Sequence, residues 1–359
     1  MAPIRILVAD GSAVARREIS QMLGSDPELE VVALTPSGRI ALEKAEQLRP
    51  EIVVLELSLE GMSGLEVLKA LRRQFPRMPV LIFSALTEST GNLTMDALAH
   101  GASDYITKPT TPGGVPTLEQ AREPLIAKIK ELHSRIQAEP PKVVLPRKRH
   151  ELAKATAPQP RIGVVVIGVS TGGPNMLVDV ITALPADFPV PVLIAQHMPP
   201  VFTRLFAERL DSLTPLRVRE AVAGEQLRTG QIWIAPGDYH LALVREGPIV
   251  KLLTHRGPME NSCRPAVDVL FRSAAAAYGA GVLAVVMTGM GQDGMRGSQA
   301  VSQAGGRIIV QDPETCVVGS MPQAVLNAGL AHQVVPLKNL GAEIVRRVTR
   351  ALSVQPVAG

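Results

Sequence analysis

Cysteine is nearly missing. Cys263 and Cys316 are the only two in 359 residues, which excludes a disulfide framework, and their spacing is not that of a metal site. Aromatic residues make up 3%, so aliphatic side chains must build any core. Long apolar runs are absent too: no stretch of about 18 uncharged apolar residues occurs. Residues 1–8 lead straight into a strand-like segment, so neither an export signal nor a membrane anchor is expected. A cytoplasmic protein is the expectation.

The excess of charge is small. The formal net charge is +4, and part of it is concentrated at residues 142–161. Such a run reads as a solvated connector, and nothing after residue 161 reads as a helix-turn-helix, so no nucleic-acid partner is expected. With 46% hydrophobic and 19% charged residues the chain is globular, and its length suits two domains. No internal repeat is visible. Residues 138–160 contain Pro140-Pro141, Pro146, Arg147-Lys148-Arg149 and Pro158-Gln159-Pro160 without a sustained apolar period. The expected division is a first domain at 1–130, a basic proline-containing linker at 131–160 and a second domain at 161–355.

What is present is an alternation of short apolar runs with helix-like ones. In the first domain these fall at 4–9, 12–23, 31–34, 39–48, 52–57, 64–74, 80–84 and 104–106, with a turn-rich insert at 109–116 and a last helix to about 137. A second such series begins at 161. The fold class is therefore α/β, with two doubly wound parallel sheets.

Three polar segments of the second domain follow runs that read as strands buried on both faces, at 162–167, 190–195 and 282–287. They are Gly168-Val169-Ser170-Thr171-Gly172-Gly173-Pro174, Gln196-His197-Met198-Pro199 and Thr288-Gly289-Met290-Gly291-Gln292-Asp293-Gly294. Ligands bind outside the carboxyl ends of parallel strands, so Ser170, His197 and Asp293 can meet at one rim. That set suits nucleophilic acyl transfer: a serine hydroxyl is a poor nucleophile until a histidine takes its proton and a carboxylate fixes the tautomer. Each residue alone has a blander reading. Taken alone, Ser170 reads first as a helix N-cap and His197 as a structural histidine, and Asp293 equally as an N-cap. The Ser170 loop fits neither common phosphate-loop pattern. His240 and His255 read as structural, and Arg264 either orients substrate or pairs with an acid. Met198, Met259, Met287, Met290 and Met295 read mainly as packing groups, with a soft groove for a helical substrate as the alternative.

Residues 162–350 resemble the catalytic domain of the bacterial chemotaxis receptor methylesterases. The match rests on those three segments together with Phe202-Thr203, Ile234-Ala235-Pro236-Gly237, His240, the stretch 261–265, Gln311-Asp312 and Met321-Pro322. The resemblance implies a Rossmann-like serine hydrolase in which Ser170 is the nucleophile, His197 the general base and then acid, and Asp293 the residue orienting His197. It places the oxyanion contact on the backbone N–H of Met290 and sets Thr171 beside the histidine. It implies hydrolysis of glutamate γ-methyl esters on chemoreceptors, deamidation of receptor glutamines at the same site, no catalytic cofactor, and a substrate on a cytoplasmic helical bundle.

Residues 1–130 resemble a two-component receiver domain of (βα)5 form, with Asp10, Glu56, Ser84, Tyr105 and Lys108 at one rim. The chain departs from that pattern twice. Gly11 stands where a second acid is expected, and Glu56 where the phosphoacceptor aspartate is expected. The missing carboxylate weakens a Mg²⁺ site, and the extra methylene moves the Glu56 carboxylate out of line for phosphoryl transfer. Phosphorylation of Glu56 is not expected. Two consequences stand open: Glu56 reaches Lys108 and imitates the phosphorylated charge pattern, or the receiver is frozen in its inactive form. A histidine kinase contact through the receiver surface stays open as well.

Overall fold

Uncharged β-branched runs become strands because their side chains fill both faces of a parallel sheet. The computed structural model describes residues 2–85, 87–109, 118–137 and 161–350. The chain divides into two compact units, Met1–Ala138 and Glu139–Gly359.

In the first unit β1 (Ile4–Ala9), β2 (Leu29–Thr35), β3 (Ile52–Leu55), β4 (Val80–Ala85) and β5 (Asp104–Lys108) form one parallel sheet in the order β2-β1-β3-β4-β5. Its helices are α1 (Ala13–Gly24), α2 (Gly38–Leu48), α3 (Gly64–Gln74), α4 (Glu88–Ala99) and α5 (Arg122–Gln137). Local signals set the helix starts. Ser12 accepts from the Ala15 N–H, and Ser63 with Glu66 closes a capping box on α3. The sequence pattern did not announce α4, whose Ser, Thr, Gly and Asn residues carry no strong apolar stripe; a capping box of Thr87 and Thr90 starts it. Helix α5 runs to Gln137, beyond the boundary drawn at 130. The remainder of the expected linker, most of the turn-rich insert and residues 351–355 lie outside the described residues.

The second unit is built on a seven-stranded parallel sheet. Its strands are β6 (Val164–Val169), β7 (Val192–Gln196), β8 (Arg217–Glu220), β9 (Gln231–Ile234), β12 (Val282–Val286), β13 (Arg307–Gln311) and β14 (Gln333–Val335), in the order β14-β13-β12-β6-β7-β9-β8. A separate antiparallel hairpin, β10 (His240–Glu246) and β11 (Ile249–His255), departs from the doubly wound pattern. Its inward residues Leu241, Leu243, Val250 and Leu252 join Trp233 and Phe271 in the main core. Each such fully buried side chain contributes about 1.5–3 kcal/mol. The helices are α6 (Gly173–Thr182), α7 (Phe202–Leu213), α8 (Val267–Tyr278), α9 (Met295–Gln303), α10 (Ser320–Asn327) and α11 (Leu337–Arg350). After β6 the chain builds outward through β7, then returns to place β12 on the other side of β6. That reversal opens a crevice at the carboxyl ends of β6 and β12.

Candidate active site

Ser170 directly follows β6, which continues through Val169, beyond the apolar run read at 162–167. Its N–H donates to Thr288 O at 2.9 Å, and its carbonyl accepts from Gly173 N–H (2.8 Å) and Gln196 Nε2 (2.9 Å). The residue capping α6 is Gly172, with no side-chain cap bond, so the Ser170 hydroxyl is not spent as an N-cap. Gly289 brings the loop after β12 against it: a Cβ at Gly289 would lie 2.8 Å from Ser170 Cβ and 2.1 Å from Met321 Sδ. Any side chain there would push the two loops apart.

His197 follows β7 and is held at both nitrogens. Nε2 lies 2.8 Å from Asp293 Oδ2, and Nδ1 lies 3.4 Å from Cys263 Sγ. No hydrogen bond joins Ser170 Oγ to the imidazole among the described residues. Burial pushes the His197 pKa down, but the Asp293 carboxylate and the Cys263 contact outweigh it and raise the value to about 10. Asp293 is buried; its Oδ2 also accepts from Val267 N–H (2.7 Å), and its Oδ1 accepts from Asp268 N–H, Gly294 N–H and Asn261 Nδ2, each at 2.9 Å. Burial acts to raise its pKa, yet His197 and the N–H groups of Val267 and Asp268 hold it below the ordinary value. The cap of α9 is Gly294, so Asp293 is not the N-cap of the helix it precedes.

Met290 lies in the loop that passes Ser170; its side chain is exposed, and its backbone N–H has no acceptor among the described residues. Thr171 is buried with an unpartnered Oγ1. The open alternatives resolve. Arg264 pairs with Asp238 through Nε (3.0 Å) and Nη2 (2.5 Å). His240 is buried between the Ala266 N–H and the Pro258 carbonyl. Met198 and Met287 are core residues and Met295 packs on the core, whereas Met259 and Met290 are exposed.

Sequence reasoning missed Cys263, Asn261 and Asp268 as neighbours of the pair. Asp268 had a signal, being an acid among the apolar residues that open α8. The run Gly289-Met290-Gly291-Gln292-Asp293-Gly294 also spells G-x-G-x-x-G between β12 and α9. It is not a dinucleotide loop, because the Asp268 carboxylate already takes the Gly294 and Gly297 N–H groups that a pyrophosphate would need.

At the other rim, Glu56 Oε1 accepts from Leu57 N–H, Ser58 N–H and Ser84 Oγ (2.8, 3.3 and 2.8 Å), and Oε2 pairs with Lys108 Nζ. Lys108 Nζ also lies 2.6 Å from Asp10 Oδ2. Burial lowers the Lys108 pKa, but Glu56 and Asp10 outweigh it and leave the value raised. Four of the five expected rim residues therefore form one cluster. Tyr105 is buried deeper on β5, level with Ile82 and near Lys128.

A parallel-sheet unit with a serine, a histidine–aspartate pair and a free N–H at its switch point, preceded by a receiver-type sheet, defines a receiver-linked α/β hydrolase. Residues 165–344 match the CheB methylesterase family and residues 6–117 the response regulator receiver domain. The chain belongs to the CheB methylesterase family. It is 45% identical to the protein-glutamate methylesterase/protein-glutamine glutaminase of Trichodesmium erythraeum, over 97% of this chain and 100% of that one. The same-named protein of a Nocardioides species is 47% identical over 98% and 97% of the two chains. The crystal structure of the Thermotoga maritima CheB methylesterase catalytic domain matches with 43% identity and a TM-score of 0.51, covering 52% of this chain and 98% of that one.

Proposed function

We infer that this protein is a chemotaxis protein-glutamate methylesterase and protein-glutamine glutaminase acting by a serine acyl-enzyme mechanism. The observation that carries the mechanism is the His197–Asp293 pair beside the uncapped Ser170 hydroxyl. With Nε2–H donating to Asp293, Nδ1 is the nitrogen left to act as base. His197 leaves Cys263 to take the Ser170 proton on Nδ1, and Oγ attacks the γ-ester carbonyl of a receptor glutamate. The Met290 N–H meets the oxyanion, and Thr171, buried with an unpartnered Oγ1, is the residue the family pattern sets beside the histidine. His197 then returns its proton to the leaving oxygen, methanol departs, and water hydrolyses the acyl-enzyme by the same relay. With a glutamine the leaving group is ammonia. The substrate is a chemoreceptor segment on its cytoplasmic helical bundle. A cytoplasmic enzyme accords with the absence, among the described residues, of any helix long and apolar enough to cross a membrane.

The receiver reading is narrower. Lys108 lies on Asp10 and Glu56, and Gly11 offers no ligand, so these residues do not fit a divalent cation. Glu56 is proposed to carry no phosphoryl group, and its bonds to Ser84 and Lys108 favour the permanently permissive arrangement over the frozen one. A kinase contact through the receiver surface is compatible with this.

One experiment tests both. Methanol release from a methylated receptor fragment is measured with the full chain and its Ser170→Ala variant, with and without a small-molecule phosphodonor and Mg²⁺. The expected result is activity that falls at least about a thousandfold in the variant and does not respond to the donor. An active Ser170→Ala would end the serine mechanism, and stimulation by the donor would end the permissive receiver.

A further inference from the structure

Behind the His197–Asp293 pair, two helices exchange caps. Asp293 stands just before α9, yet its carboxylate accepts from Val267 and Asp268, the first two residues of α8. Asp268 returns the contact: its Oδ1 accepts from Gly294 N–H (3.0 Å) and Gly297 N–H (2.6 Å) at the start of α9. The positive end of each helix thus stabilises the other's acid. No side chain fits between the helices at Gly297, where a Cβ would lie 2.6 Å from Phe271 Cβ and 3.0 Å from Asp268 Cα.

The swap sets two fully buried carboxylates side by side. Burial, together with the neighbouring Asp293 charge, pushes the Asp268 pKa up. One side chain addresses both acids. Asn261 Nδ2 lies 2.9 Å from Asp293 Oδ1 and 3.0 Å from Asp268 Oδ2, one hydrogen for each.

We propose that Asn261 is a positioning residue of the esterase reaction: its amide, held in place by the Asp268 carboxylate, completes the donors on Asp293 Oδ1 beside the backbone N–H groups of Asp268 and Gly294, so that Oδ2 stays aimed at His197. The proposal rests on the reading that Asp293 orients His197. Asn261 lies on an exposed turn with φ +51°, so Asn261→Gly keeps the backbone conformation, removes the shared amide and disturbs no core packing.

In the full-length Asn261→Gly chain, kcat for methanol release is expected to fall roughly tenfold to a hundredfold, the loss associated with a hydrogen bond to a charged group. KM stays unchanged, because Asn261 acts through Asp293. The deficit relative to the unmodified chain deepens as pH falls, since a carboxylate pair without its shared donor takes up a proton more readily and His197 loses its partner. The low-field proton resonance of His197 Nε2–H is expected to shift or broaden in the same variant. An unchanged kcat and pH profile, with Ser170→Ala inactive, overturns the positioning role and leaves the hydrolase reading standing. A kcat deficit equal at every pH with an unmoved resonance also overturns it, as the mark of a merely structural residue. An active Ser170→Ala overturns the hydrolase reading itself.

Discussion

At the receiver rim the carboxylates of Asp10 and Glu56 meet the ammonium of Lys108, whereas at the hydrolase rim the carboxylate of Asp293 meets backbone N–H groups, one amide and one imidazole. Both sites stand at the carboxyl ends of parallel strands, so topology places them alike. The partners differ in kind. One internal ammonium bridges the two acids and closes the site on itself. Backbone and amide dipoles keep an acid charged without cancelling it, and leave Oδ2, which takes a single backbone N–H, directed at a histidine.

The largest test of that contrast is Asp293→Asn. The amide would present N–H groups where Val267, Asp268 and Gly294 already donate, and it would no longer fix the proton on His197 Nε2. Methanol release is expected to fall roughly a thousandfold to ten-thousandfold, with the circular dichroism spectrum retained. A loss under about tenfold would mean that the dipole-held acid does little for the histidine.

The matching change at the other rim is Lys108→Met. It leaves Asp10 and Glu56 buried without their cation, and removing one partner of a buried ionic cluster costs about 3–5 kcal/mol. The Lys108 pKa is raised in the folded state, so its contribution is fully present below the ordinary value of 10.5 and is lost only as pH rises through the raised one. Urea unfolding of the receiver transition at neutral pH is the check. An unchanged midpoint would show that the cluster contributes nothing to receiver stability, and that the two rims are less different than their geometry.

The sequence displayed the rims better than it displayed their second layer. Strand ends are legible because a charge-free β-branched run must be buried and the polar residues that follow it gather at the rim, which located Ser170, His197, Asp10 and Glu56, with Lys108 closing β5 and Asp293 further along the loop after β12. Departures from a receiver were equally plain, since Gly11 and Glu56 are single letters at fixed positions. What stayed hidden came from elements meeting across space. Asn261 and Cys263 lie on a turn with no periodicity, in which Asn261 and Ser262 adopt φ +51° and +59°, and only the fold brings that turn over His197. Helix α4 was hidden for the opposite reason, because its polar composition competes locally with helix and its cap alone marks it.

The smallest expected effect concerns the one contact that makes the hydrolase rim resemble its counterpart, a second group holding the working residue. Cys263 Sγ occupies the same nitrogen, Nδ1, that is proposed to accept the Ser170 proton. Together with Asp293 it raises the His197 pKa to about 10 against the pull of burial, and an imidazolium cannot serve as base. Cys263→Ala is therefore expected to lower that pKa, move the acid limb of kcat/KM toward lower pH and increase activity near neutrality. Stability should move the other way. A raised histidine pKa contributes stability that is fully present below the ordinary value of 6.5 and lost as pH rises through about 10. The variant should lose part of that increment at and below neutral pH and match the unmodified chain above about 10. A pH–rate profile that does not move would show that the thiol has no hold on the proton, leaving Asp293 as the group that sets His197.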